Sequence, residues 1–273
     1  MNKLNIYCIS LEPNHYDFIK QLGYKPVGLG EKSFNKDWFS DKTGENISNK
    51  NKYYGEYTFH YWIWKNYMDK LEDGWVGFCQ YRKFWSLKEY KNEEINFKNL
   101  DSKILKEIPK EFDRYESILG TPFFVNKFKP MKFFKKGFKI FIKKPYLFFS
   151  KNKRNINFHF DLMHGENILN KAIDLLDEKN KSDFRNFVNT EISFNPQNMF
   201  ICKSKKMIKN YYEDLFPWLE RCEKLFGFEN LKGYSKIRIY TFLAERFLSY
   251  WFKKNSKYKT MPIVFYDIRN DIK

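Results

Sequence analysis

The sequence predicts an α/β fold in which one mixed sheet is flanked by helices. Two observations carry this. Short apolar runs of strand length alternate with longer stretches of helical period along the whole chain. Neither an internal repeat nor a linker divides residues 1–273, so a single domain is expected, with one basic insertion at 126–157.

The organising stretch is Tyr53–Trp85. Tyr57, Tyr61 and Trp64 recur three and four apart, the spacing of one helical face. After Gly74 comes a short apolar run to Phe84, broken by Gln80-Tyr81-Arg82-Lys83. Its length and its glycines predict a buried strand whose C-terminal end delivers polar and cationic groups. In open α/β sheets ligands sit at such strand ends.

Ahead of it, Leu4–Leu11 predicts an opening strand closed by Pro13. His15 to Gly30 predicts a brief helix and a turn, punctuated by Gly23, Pro26, Gly28 and Gly30. The polar loop Ser40–Asn51 gathers Asp41, Thr43, Gly44 and Asn46. Such a loop either caps the following helix or contacts ligand hydroxyls and ribose with its short polar side chains.

Beyond it, Leu87–Lys110 is charged and amphipathic and predicts a helix. Glu116–Phe124 predicts a strand ending at Gly120-Thr121-Pro122. Asn126–Asn157 then carries eleven basic residues and no acidic one, interleaved with phenylalanines. A solvated face would contain glutamates. The alternatives are a plain basic insertion, a stacking platform for single-stranded nucleic acid, and an interfacial segment. In the last, rings meet the acyl boundary and lysines meet anionic headgroups.

From Phe158 to Leu176 the pattern is helical, and Asp161 and His164 share a face. That spacing suits a metal ligand pair or a capping aspartate, and no third ligand is near. Phe194–Lys203 predicts a strand after a turn. Ser204–Phe226 and Arg238–Phe252 predict helices, the second interrupted by Glu245 and Arg246. Met261–Tyr266 is a last short apolar run.

The formal net charge of +17 concentrates anions: nucleic acid, phosphorylated substrates or an acidic membrane. An aromatic content of 21% argues against disorder. The four cysteines form no C-x-x-C pair and suit a reducing cytoplasm. Neither a signal peptide nor an apolar span of membrane length is expected.

Four stretches, SDKTGENISNKNKYYGEYTFHYWIWKN, GWVGFCQYRKFW, PQNMFICKSKKM and FLAERFLSYW, occur in an order that resembles one bacterial family. It is the capsular and exopolysaccharide biosynthesis glycosyltransferases catalogued as domain of unknown function four-four-two-two, and the likeness runs from about Pro26 to Trp251. That family ends the central strand in His-Tyr-Arg-Arg, whereas this chain has Gln80-Tyr81-Arg82-Lys83. The resemblance implies a GT-A-like transferase that moves a hexose or galactofuranose from a nucleotide sugar, a UDP-sugar foremost. The acceptor would be a lipid-linked glycan or oligosaccharide of a capsular or surface polysaccharide.

The chemistry needs a pocket for base and ribose, charge for the departing diphosphate, and a base for the acceptor hydroxyl. The expected donor-binding residues are Asp41, Thr43, Asn46, Gln80, Tyr81, Arg82 and Lys83. No Asp-x-Asp occurs in the chain. An arginine neutralises phosphate bidentately without a metal, which assigns the leaving group to Arg82. No metal site is expected, and dependence on Mn²⁺ or Mg²⁺ stays open. Asp161 and then Glu245 are the candidate bases. Lys135, Lys136, Lys143 and Lys144 are expected to meet acceptor or anionic membrane on the cytoplasmic face of the plasma membrane. Nucleic acid is not an expected partner. A single-strand binder and an inactive scaffold of a polysaccharide assembly complex are the competing readings.

Overall fold

The computed structural model describes residues 3–72, 74–90, 95–127, 150, 153–229 and 231–271. In chain order its elements are β1 (Leu4–Ser10), α1 (Tyr16–Gln21), β2 (Lys25–Gly28), β3 (Phe39–Ser40), α2 (Asn51–Tyr54) and α3 (Tyr57–Asn66). Next come β4 (Trp75–Gln80), β5 (Lys83–Trp85), α4 (Phe97–Lys103), β6 (Ser117–Gly120) and β7 (Phe123–Phe124). Then follow α5 (Ile156–His164), α6 (Ile168–Asp174), α7 (Glu178–Thr190), β8 (Ser193–Phe194), β9 (Phe200–Cys202) and α8 (Lys205–Phe226). The chain closes with α9 (Tyr234–Ile237), α10 (Ile239–Asn255), β10 (Tyr258–Met261) and β11 (Ile263–Phe265). These elements form two compact units, residues 1–121, 197–213 and 252–273 in one and residues 122–196 and 214–251 in the other.

The first unit is a mixed α/β layer built on one sheet of order β10-β6-β9-β4-β1-β2-β3, with β5 joining β4 and β11 joining β5. β1 pairs in parallel with both β2 and β4, and β2 pairs in parallel with β3. β9 runs antiparallel between β4 and β6. The order β3-β2-β1-β4 reverses the direction of winding between β1 and β4, which opens a crevice at their C-terminal ends. β4 is the continuous apolar run because it is central: Trp75 to Cys79 are all buried. Gly77 is required there, since a Cβ would stand 2.9 Å from Ile201 on β9 and 3.3 Å from Ile6 on β1.

The helix α3 forms where its spacing predicts but buries Tyr57, Phe59, Trp62 and Ile63, while Tyr61 and Trp64 of the expected face are only half-buried. His60 on the same helix is fully buried, 2.7 Å from the Tyr212 hydroxyl, and burial lowers its pKa to about 3. It is a neutral core histidine.

Several local expectations change once strands pair. The apolar run ending near Phe84 is two strands, with Tyr81 and Arg82 forming the turn between Gln80 and Lys83. Lys25–Gly28, expected within a helix and turn, is a parallel strand between β1 and β3; Pro26 and Gly28 read as breakers, but pairing on both sides overrides them. Of the helix expected over Leu87–Lys110, the described residues form only Phe97–Lys103, started by a capping box between Asn96 and Asn99. After it the chain turns extended at Ile104, and the Leu105 amide donates to the Trp85 carbonyl at 2.7 Å. The apolar side chains there reach the core from a loop, so amphipathy did not signify a helix.

The segment before β9 is strained. Gln197 and Asn198 are consecutive non-glycine residues with positive φ, 83° and 54°. Such residues cost on the order of 1–3 kcal/mol each and persist only where surroundings hold them. The Gln80 side-chain amide donates to the Gln197 carbonyl at 3.4 Å, and the Tyr57 hydroxyl donates to the Asn198 side-chain oxygen at 3.1 Å.

The second unit contains α5, α6, α7 and α9, most of α8 and α10, and the short β7–β8 pair. The predicted helix from Phe158 to Leu176 is divided by Gly165, whose φ of 125° only glycine adopts readily. Arg246 on α10 is buried at 2% exposure. Its guanidinium lies 3.9 Å from the Phe194 ring centre, 3.4 Å from His159 Nδ1, and in an ion pair with Glu245. Among the described residues no helix is long and apolar enough to cross a membrane. Lys135, Lys136, Lys143 and Lys144 lie outside the described residues.

Candidate active site

The cavity of the first unit lies one strand over from the β1/β4 position where the sheet order predicts a crevice. It has a volume of about 600 Å³ and opens at the C-terminal ends of β1 and β2 and against the loop that follows β3. Its polar lining includes Glu12, Lys32, Lys42, Ser48, Asn51 and Lys52. Glu12 and Lys32 form an ion pair across it. Three lysines against Glu12 and Glu31 leave the lining net cationic, which favours anionic ligands.

The turn after β1 joins this cavity to a second cluster. Ser10 Oγ accepts from the Glu12 amide at 3.0 Å and stands 2.7 Å from His15 Nδ1. The buried His15 ring packs on Tyr81, centre to centre 5.0 Å. Burial lowers the His15 pKa, with Arg269 and Lys32 adding to the effect and Glu12 and Asp267 opposing it. The guanidinium of Arg82 lies 5.0 Å from the Tyr81 ring centre and that of Arg269 lies 5.5 Å from it. Two cationic forks therefore stack on one ring at the end of β4.

The tail that brings Arg269 is tied to this turn by its backbone. The Tyr266 amide donates to the Arg82 carbonyl at 3.2 Å and the Ile268 amide to the Tyr81 carbonyl at 3.5 Å. Asp267 grips Arg269 bidentately, at 3.0 Å to Nε and 2.6 Å to Nη2. That grip is the main cause holding the Asp267 carboxyl below its usual range, and the charge of Arg82 contributes. Arg82 is exposed, and among the described residues it makes no ion pair. Lys83 instead donates to the Gln80 side-chain oxygen at 3.0 Å.

The loop after β3 is held from within and against α3. Trp62 Nε1 donates to the Thr43 hydroxyl at 3.0 Å, and Asn66 binds the Glu45 amide and carbonyl. Asn46 accepts from the Ser48 amide and hydroxyl, starting the short 3₁₀ turn at Ser48–Lys50. Thr43 and Asn46 are thus committed to loop structure, while Lys42, Ser48 and Asn49 of the same loop line the cavity. Asp41 is fully buried, and neither carboxylate oxygen has a hydrogen-bond partner among the described residues. The nearby Thr58 hydroxyl donates to the Gly55 carbonyl and accepts from Asn51.

Burial raises the Asp41 pKa, and Thr58, its own amide and Lys42 offset this only in part. Between the unfolded and folded pKa the native state binds more protons, so stability falls as pH rises through that window. Above it the penalty is constant. Asp41→Asn should therefore raise stability at pH 8, with the gain shrinking as pH falls towards 4. Urea titrations at both pH values check this; a less stable Asn variant at pH 8 shows that the carboxylate has a partner.

The two carboxylates read as candidate bases belong to the other unit. Asp161 Oδ1 accepts from the Asn167 amide at 2.9 Å, and Glu245 is paired with Arg246. His164 does not turn towards Asp161: its ring stacks on Phe242 at 4.0 Å and its Nδ1 lies 3.0 Å from the Ser235 carbonyl. Arg82 stands at the end of β4 as the sequence places it, and His15 and Arg269, which pack on the same Tyr81 ring, were not among the expected residues. Arg269 had no local signal at all, since its role depends on where the tail docks.

A model of the family described as domain of unknown function (DUF4422) matches residues 11–256. No curated protein matches the sequence. Among solved structures, the apo structure of WbbM, a bifunctional glycosyltransferase, superposes with a TM-score of 0.69 at 22% identity. The match covers 97% of this chain and 45% of that one, so the chain spans less than half the length of the protein it resembles. Matched over most of its length, the chain belongs to the DUF4422 family.

Proposed function

We propose that the protein is a glycosyltransferase that takes a sugar from a nucleotide donor, a UDP-sugar foremost. The observation that carries this is the pair of arginines stacked on Tyr81 at the β1/β4 switch point, beside a lysine-lined cavity large enough for a nucleoside. A departing nucleoside diphosphate needs positive charge placed before the reaction begins, and two guanidinium forks supply it. The fold likeness to WbbM supports the same reaction class. In this reading the fold is of the GT-A kind. The cavity between Lys32, Lys42 and Lys52 takes the nucleoside, and Arg82 with Arg269 takes the diphosphate.

GT-A enzymes commonly bridge the diphosphate with a metal. The residues at the end of β4 do not fit one: Gln80, Arg82 and Lys83 stand where carboxylates would be needed. Among the described residues no group of three or more His, Cys, Asp or Glu is placed to hold an ion. The acceptor is proposed to be a lipid-linked glycan of a surface polysaccharide. The lysines of the 126–157 insertion would hold the enzyme to the anionic cytoplasmic leaflet.

A thermal-shift screen over nucleotide sugars, with Mn²⁺ and with EDTA, tests the reading. A ligand at a hundredfold excess over its Kd adds about 2.7 kcal/mol to native-state stability. A UDP-sugar should raise Tm equally under both conditions. No shift with any nucleotide sugar would remove the transferase reading, and a shift only with Mn²⁺ would remove the metal-free one.

A further inference from the structure

We propose that Glu56 is the general base that takes the proton from the acceptor hydroxyl, and that Asn198 positions it. This rests on the transferase reading above.

Three chain ends converge at the edge where Arg82 stands. β9 runs antiparallel to β4, so the residues before β9 lie beside the C-terminal end of β4. The crossover from β3 to the parallel strand β4 sets the N-terminus of α3 at that same edge. Glu56 is the residue immediately before α3 and is half-buried. Its Oε1 accepts from Asn198 Nδ2 at 2.8 Å.

Asn198 is itself held at its other side-chain atom. Its Oδ1 accepts from the buried Tyr57 hydroxyl at 3.1 Å, and that hydroxyl lies 3.0 Å from the Tyr211 hydroxyl. The neighbouring Gln197 carbonyl accepts from Gln80 at 3.4 Å, which joins the same loop to the end of β4. The two left-handed residues at this loop are therefore fixed from β4, from α3 and from α8, and their geometry aims one amide at one carboxylate. Strained backbone maintained by this many contacts is the pattern of a positioned functional group. Through the bond from Asn198, Glu56 at the start of α3 is joined to the loop before β9.

In the proposed step the acceptor O–H proton passes to the Glu56 carboxylate and the acceptor oxygen bonds to the anomeric carbon. The bond from that carbon to the diphosphate breaks, and its electron pair leaves on the phosphate, which Arg82 and Arg269 stabilise.

The test uses the full chain with a UDP-hexose that shifts Tm and n-octyl β-galactoside as acceptor probe. Glu56→Gln keeps an oxygen for Asn198 to bond and removes the base. It should lower kcat by about 10²–10⁴-fold while leaving the Kd for UDP unchanged. Formate should restore part of the activity of Glu56→Ala. Asn198→Ala should lower kcat by less and shift the acid limb of the pH–rate profile. Wild-type kcat in Glu56→Gln with UDP still bound overturns the assignment and leaves the transferase reading standing. Loss of UDP binding in that variant makes Glu56 structural and also overturns it. If wild type binds no nucleotide sugar, the transferase reading fails and this assignment fails with it. If Glu56→Gln does not fold, Asn198→Ala with an unchanged pH–rate profile overturns the proposal.

Discussion

Arg82→Ala is expected to lower kcat by about 10²–10³-fold without lowering Tm, the loss typical of removing one preorganised donor to a developing charge. The fold should not notice the change, because the side chain is exposed and its contact within the chain is stacking on Tyr81. Arg269→Ala should cost less, since that residue shares its charge with Asp267. The double variant should lose more than Arg82→Ala alone, because in the proposed reaction both forks address one leaving group. Arg82→Lys separates charge from geometry: it keeps the cation and loses the planar fork, so partial activity is expected. Initial rates with saturating donor, beside melting curves for each variant, decide the matter. Near-normal turnover by a folded Arg82→Ala protein would take Arg82 out of the mechanism.

Arg246→Ala is expected to destabilise the protein by roughly 3–5 kcal/mol, the range for breaking a buried ion pair from one side. The guanidinium is almost wholly buried, fills space between Phe160 and Phe194, and neutralises Glu245. Truncation leaves a void and removes the cation beside a carboxylate that is itself 13% exposed. The double change Glu245→Gln with Arg246→Met should recover most of the loss, because it removes both charges and keeps the volume. Urea midpoints at constant m-value measure this. A loss under 1 kcal/mol for Arg246→Ala would show that water reaches the pair and that Glu245 is free to serve elsewhere.

Much of the architecture was legible where local pattern and tertiary environment agree. The helix α3, the apolar runs of β1 and β4, and the helices α8 and α10 follow from which residues must leave water. Arg82 was legible too, because a cation at the end of a buried strand has a direction set by the strand itself. The loop around Thr43 and Asn46 was legible as a loop, and its alternatives were already those of cap and contact. What failed locally failed for one reason. Amphipathy over Leu87–Lys110 reports that apolar side chains reach a core and does not say that a helix carries them. The breakers at Pro26 and Gly28 report a weak preference that two strand partners outweigh.

The candidate site is made of pairs far apart in the chain. Glu56 and Asn198 are 142 residues apart, as the Tyr57–Asn198 pair is 141 apart, and the tail residue Arg269 meets Tyr81 across most of the sequence. Sequence by itself indicated the main apolar strands and helices of the core and that one strand ends in cations. The sheet order decided which chain ends share an edge, since a hydrogen-bonded strand partner is chosen by packing across the whole core and leaves no trace in the spacing of nearby residues.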